Sequence, residues 1–95
     1  MLKAWEYHGI HAASGLPRFA PVEWYPSVPR AERVRVQAHT CECSPIVYEL
    51  CTAGGLFFVR RRDRSGPRPI LTESEWVIKR RAEVLWLRIL NGGAR

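Results

Sequence analysis

The residues best equipped for chemistry fall in one short run, His39-Thr40-Cys41-Glu42-Cys43, with Cys51 further along the chain. Two thiolates and an imidazole suit a tetrahedral zinc ion. On extended backbone alternate residues share a side, which puts His39, Cys41 and Cys43 together. The spacing argues the other way. A zinc knuckle wraps its ion with Cys-x2-Cys, and Cys-x-Cys on an extended strand does not. In a simple hairpin Cys51 lies opposite Gln37 or His39, too far from Cys43 to share one ion. No metal or other cofactor is therefore expected. His39, Cys41, Cys43 and Cys51 are the candidate ligands should zinc bind, and otherwise the thiols act as small hydrophobes. His8 and His11 receive no role.

Covalent catalysis finds little more support. A nucleophile needs a base and an orienting third group. Cys41 or Cys43 with His39 lacks a well-placed Asp or Asn, and no glycine-rich phosphate loop accompanies them. The chain reads as a non-enzyme.

A second kind of chemistry is electrostatic. Fifteen basic residues against nine acidic give a net charge of +6, and thirteen of the fifteen are Arg. Arg grips phosphate and carboxylate through two parallel hydrogen bonds and stacks on rings. The partner expected is anionic, either an acidic protein or nucleic acid. No RRM-type signature, helix-turn-helix pair or other nucleic-acid module is present.

The elements that must position these groups follow from pattern. Residues 1–32 hold four prolines and five aromatics, including Trp5 and Trp24, and read as an extended arm that packs on something. Arg33–His39 alternates, with Val34, Val36 and Ala38 on one side. Ile46–Thr52 and Leu56–Arg62 are strands joined by an Ala53-Gly54-Gly55 turn, since a two-residue hairpin needs positive φ at both central positions. That turn pairs Cys51 with Phe58 and Glu49 with Arg60. Thr72-Glu73-Ser74-Glu75 reads as a capping box that opens a helix, which Asn91-Gly92-Gly93 ends. The expected fold is a single α+β domain over 1–95. It comprises the arm, a three-stranded antiparallel sheet over 33–63, and one long helix over 72–91 packed on one sheet face.

Two surfaces emerge from this layout. If Val34, Val36 and Ala38 face the core, the opposite sheet face gathers Arg33, Arg35, Arg60 and Arg62 around Phe58, with Arg64 beside them. Such a face could hold single-stranded nucleic acid or an acidic partner. The helix, for its part, is too apolar for one contact. Ile78, Ala82, Leu85 and Ile89 form a core stripe, leaving Trp76, Leu87 and Leu90 on the other side among Arg80 and Glu83. That second stripe, with Trp5 and Trp24 from the arm, is the expected homodimer interface.

No apolar run reaches the ~18 residues of a membrane helix. There is no secretory leader pattern, and three cysteines make an odd count, so a reduced, cytoplasmic setting is expected. The functional expectation is a small regulatory or adaptor module acting by protein–protein interaction, in gene regulation among other settings. Nucleic-acid binding through the sheet face is the alternative, and zinc or redox sensing the third.

Overall fold

The computed structural model describes residues 10–13, 19–29 and 33–95. Five strands form one antiparallel sheet: β1 Tyr25–Pro26, β2 Arg35–His39, β3 Ile46–Ala53, β4 Leu56–Asp63 and β5 Ile70–Glu73. Their spatial order is β1-β5-β4-β3-β2, and a helix, α1 Lys79–Leu90, follows. The α+β class stands. Among the described residues the sheet has five strands rather than three.

The central hairpin forms as its turn dictates. Gly54 and Gly55 adopt φ of 57° and 79°, the left-handed region that a twisted two-residue turn demands. Leu50 then pairs with Val59, Cys51 with Phe58 and Glu49 with Arg60. Tyr48, Leu50 and Val59 point to one side, where Ala82, Trp86 and Ile89 of α1 cover them.

β5 occupies the segment that spells a capping box. Thr72 and Glu73 pair with Arg61 and Arg60 instead of opening a helix. Ser74 extends the ladder: its backbone N–H donates to the Val59 carbonyl and its hydroxyl accepts from the Val59 N–H, both at 2.8 Å. Strand pairing satisfies more backbone groups than a local cap could, so tertiary context overrides the local signal. The helix consequently starts at Lys79, with Ile78 at its N-cap and no side-chain cap. Its far end behaves as read. Gly92 has φ 83°, its N–H donates to Ile89 O, and Gly93 N–H donates to Arg88 O, a Schellman arrangement.

The helix faces also shift. Ala82, Trp86 and Ile89 are its buried residues, while Ile78 is exposed. Trp86 fills the place that the Ile78-based stripe left unassigned. Leu90 is partly buried against the same core, so it does not belong to an outer stripe.

β2 departs from strict alternation. The register shifts between Val36 and Ala38, so Val36 sits opposite Cys51 whereas Ala38 sits opposite Leu50. Gln37 is the extra residue of a bulge, and one inserted residue flips everything upstream to the other face. Val34 and Val36 leave the core side and are exposed.

The described part of the N-terminal segment packs on its own domain. Ala12, Val22 and Trp24 lie against the core, with the Trp24 and Tyr48 rings tilted at 6.0 Å. Ala20 and Val22 donate to the Gly93 and Arg95 carbonyls at 2.8 and 2.9 Å, and Arg95 N–H donates back to Ala20 O. Trp5 lies outside the described residues.

Candidate functional site

The thiols come together through a turn. Cys41-Glu42-Cys43-Ser44 joins β2 to β3, and Ser44 N–H donates to Cys41 O at 3.5 Å. On extended backbone two residues of a Cys-x-Cys cannot wrap an ion. In this turn the Cys43 N–H reaches the Cys41 sulfur at 3.4 Å, so both side chains converge. The third member is His11. A parallel bridge between Ile10 and Thr40 docks the N-terminal segment against this loop, with Cys41 N–H donating to Ile10 O at 2.5 Å. His11 Nε2 then stands 3.0 Å from Cys43 Sγ. The donor atoms of His11, Cys41 and Cys43 all lie within 4.8 Å of one another.

Two of the sequence candidates are elsewhere. His39 hydrogen-bonds through Nδ1 to the Thr40 carbonyl and sits opposite Glu49. Cys51 packs with Ala53, Phe58 and Trp76 on the sheet face away from the helix. Burial pushes its thiol up to about 11, which makes it a hydrophobe in practice. Cys43 is exposed, and its hydrogen bond with the Cys41 thiol is the main influence raising its pKa above the ordinary value. His11 is invisible to spacing, because its 30-residue separation from Cys41 is closed by tertiary docking, with the Ile10–Thr40 bridge beside it and the Ala13 N–H donating to Leu90 O.

The loop that carries the thiols is held by arginines. Arg64 Nη2 donates to the Glu42 and Ser44 carbonyls, the two that flank Cys43, at 2.5 and 2.9 Å. Arg62 Nη2 donates to the Glu42 carboxylate at 2.7 Å. A cleft of about 440 Å³ opens beside the cluster, its walls including His11, Thr40, Cys41, Tyr48, Arg61 and Arg95.

The expected basic sheet face is not an open platform. Arg60 Nε donates to Glu49 Oε1 at 2.9 Å, and Glu49 is buried. Arg62 is taken up by Glu42, with Glu49 a further 3.8 Å from its Nε. Phe58, expected among the arginines as an exposed ring, is 1% exposed and stacked under Trp76. Arg35 pairs opposite Thr52, on the other side of the sheet from Arg60 and Arg62. Arg33 and Arg35 are exposed.

The expected dimer residues divide. Trp76 folds back onto the sheet, donating from Nε1 to Glu73 Oε1 at 2.9 Å, and is not on the helix. Trp24 and Leu90 pack inward. Arg80, Glu83 and Leu87 remain on the outer face of α1, where Leu87 is 61% and Val84 53% exposed. Arg80, Arg81 and Arg88 line a shallow groove with Val84 and Leu85. Against these cations α1 carries a single acid, Glu83, 3.9 Å from Lys79 Nζ.

No protein-family model, curated protein or solved structure matches the chain. No helix among the described residues is long and apolar enough to cross a membrane.

Proposed function

We propose that the protein is a small interaction module, acting by binding rather than by catalysis, that receives an acidic protein partner on the outer face of α1. One observation carries this reading. The helix meets its packing demand with Ala82, Trp86 and Ile89, and still presents Val84 to solvent between Arg80, Arg81 and Arg88, with Leu87 exposed on the same outer face. Exposed apolar side chains bordered by arginine suit a partner helix or segment with apolar residues flanked by Asp and Glu.

Charge favours that partner over a second copy. Four cations against one acid on α1 would face the same excess across a two-fold axis. An adaptor or regulatory role is the setting that such binding suits. Nucleic acid loses its proposed platform, because Arg60 and Arg62 are engaged by carboxylates and Phe58 is covered.

The test combines light scattering with a peptide titration. The chain should run as a monomer and bind a synthetic acidic amphipathic helix with affinity that falls as salt rises. Leu87→Asp and Arg80→Glu should abolish that binding and leave the far-UV spectrum unchanged. A dimer that Leu87→Asp dissociates would make the occupant a second copy and overturn the acidic-partner reading.

A further inference from the structure

We infer that His11, Cys41 and Cys43 form a binding site for one zinc-class divalent ion, which clamps the N-terminal segment to the β2–β3 loop. This inference is independent of the helix face and draws on different residues.

The donor chemistry comes first. One imidazole nitrogen and two sulfurs are the ligand types that zinc and its spectroscopic stand-in cobalt prefer. The distances come second. Zinc bonds of ~2.3 Å to sulfur and ~2.0–2.1 Å to nitrogen place donors of a tetrahedron roughly 3.6–3.8 Å apart. The three donors here lie within 4.8 Å of one another, with His11 Nε2 3.0 Å from Cys43 Sγ. Shifts of a few tenths of an ångström to about 1 Å, within reach of side-chain rotation, bring them to that spacing.

The supporting shell is third. The Cys43 N–H is directed at the Cys41 sulfur, which fixes the placement of the two thiols relative to each other. Arg64 fixes the carbonyls on either side of Cys43, and Arg62 fixes the intervening Glu42 side chain. These contacts orient the ligands before any ion arrives, as outer-shell partners do in metal sites. The cleft walled in part by His11 and Cys41 supplies the way in for the ion and for a water as fourth ligand.

The physical rationale is cross-linking. Here the ion would tie two segments distant in sequence beside the Ile10–Thr40 bridge, and a metal clip that closes a long loop constrains the unfolded chain.

Cobalt titration of the reduced, chelator-treated chain tests this directly. About one equivalent of Co²⁺ should bind, with a thiolate-to-cobalt charge-transfer band that Zn²⁺ then displaces. Cys43→Ser should weaken that band sharply, and His11→Ala should weaken affinity by at least about tenfold. Both residues are exposed, so neither change threatens the fold. His39→Ala should leave the titration unchanged. Zn²⁺ should raise the melting midpoint of the wild type and not of His11→Ala. Absence of the charge-transfer band in the folded, reduced wild type would overturn the site. Wild-type affinity in His11→Ala, or loss of binding in His39→Ala, would overturn it equally.

Discussion

Phe58 and Trp76 lie face to face, their ring centroids 4.4 Å apart and their planes within 3°. Phe58 is the third residue of β4, and Trp76 comes from the irregular stretch between β5 and α1. The stack closes the sheet face that the helix leaves uncovered, over Cys51 and Ala53. Trp76→Ala should therefore cost about 3 kcal/mol, at the low end for aromatic truncation because Trp76 is only partly buried. Trp76→Phe keeps a ring but removes the donor to the buried Glu73 carboxylate, for about 1–2 kcal/mol. Urea unfolding of both variants checks the order.

The Arg60–Glu49 pair makes a different prediction. Both side chains are largely buried, and Glu49 has Arg60 Nε as its close partner at 2.9 Å. Arg60→Ala leaves the buried Glu49 carboxylate with Arg62 Nε at 3.8 Å in place of its close partner and should destabilise by roughly 1–3 kcal/mol. Arg60→Ala with Glu49→Ala should cost less than Arg60→Ala alone. A double-mutant cycle in denaturant measures this. A single-variant cost within a few tenths of zero would mean that Arg60 is held loosely.

At the start of α1 a stabilising change is available. Ile78 is the N-cap residue, makes no side-chain cap and is exposed, and the first turn contains no acid. Ile78→Asp supplies both a hydrogen-bond acceptor for the free N–H groups and a charge that suits the helix dipole. The expected gain is about 1 kcal/mol. Thermal unfolding above neutral pH reads it.

Asp63 should leave an acid signature. Hydrogen bonds from the Ser65 hydroxyl and then its backbone N–H hold the Asp63 carboxyl below its ordinary value of 3.8, helped by Arg61. A depressed folded-state pKa means that the stabilisation is present above pH 3.8 and is lost as pH falls through the lower folded value. Ser65→Ala should move the Asp63 titration upward, as followed by carboxyl-carbon NMR. An unchanged titration would show that the Ser65 hydroxyl is not its partner in solution.

What the chain revealed by inspection was local. The Gly54-Gly55 turn fixed the β3–β4 register residue by residue, down to the Glu49–Arg60 pair. Asn91-Gly92-Gly93 marked the helix end because a positive φ is a property of one residue. The failures were all contests between local and distant partners. Thr72–Glu75 carries a good cap signal, yet β4 offers Glu73 a strand partner in Arg60 and Ser74 two hydrogen bonds with Val59, which no sequence window contains. The bulge at Gln37 leaves no composition trace and reverses the faces of Val34 and Val36. The thiol pair of the candidate metal site was legible. Its turn geometry and its imidazole were not, since both depend on where residues 10–13 dock.

The pairing of Ala20 with Ala94 gives the folding reaction an order in time. The β3–β4 hairpin closes through two residues, whereas the Ala20–Ala94 clasp must bring together positions 74 apart in the chain. Closing the longer loop carries the larger entropy cost and gains nothing until the sheet and α1 are in place. The hairpin is accordingly expected in the transition state, and the clasp after it. Substitutions at Ala20 and Ala94 should then speed unfolding and leave the refolding rate almost untouched.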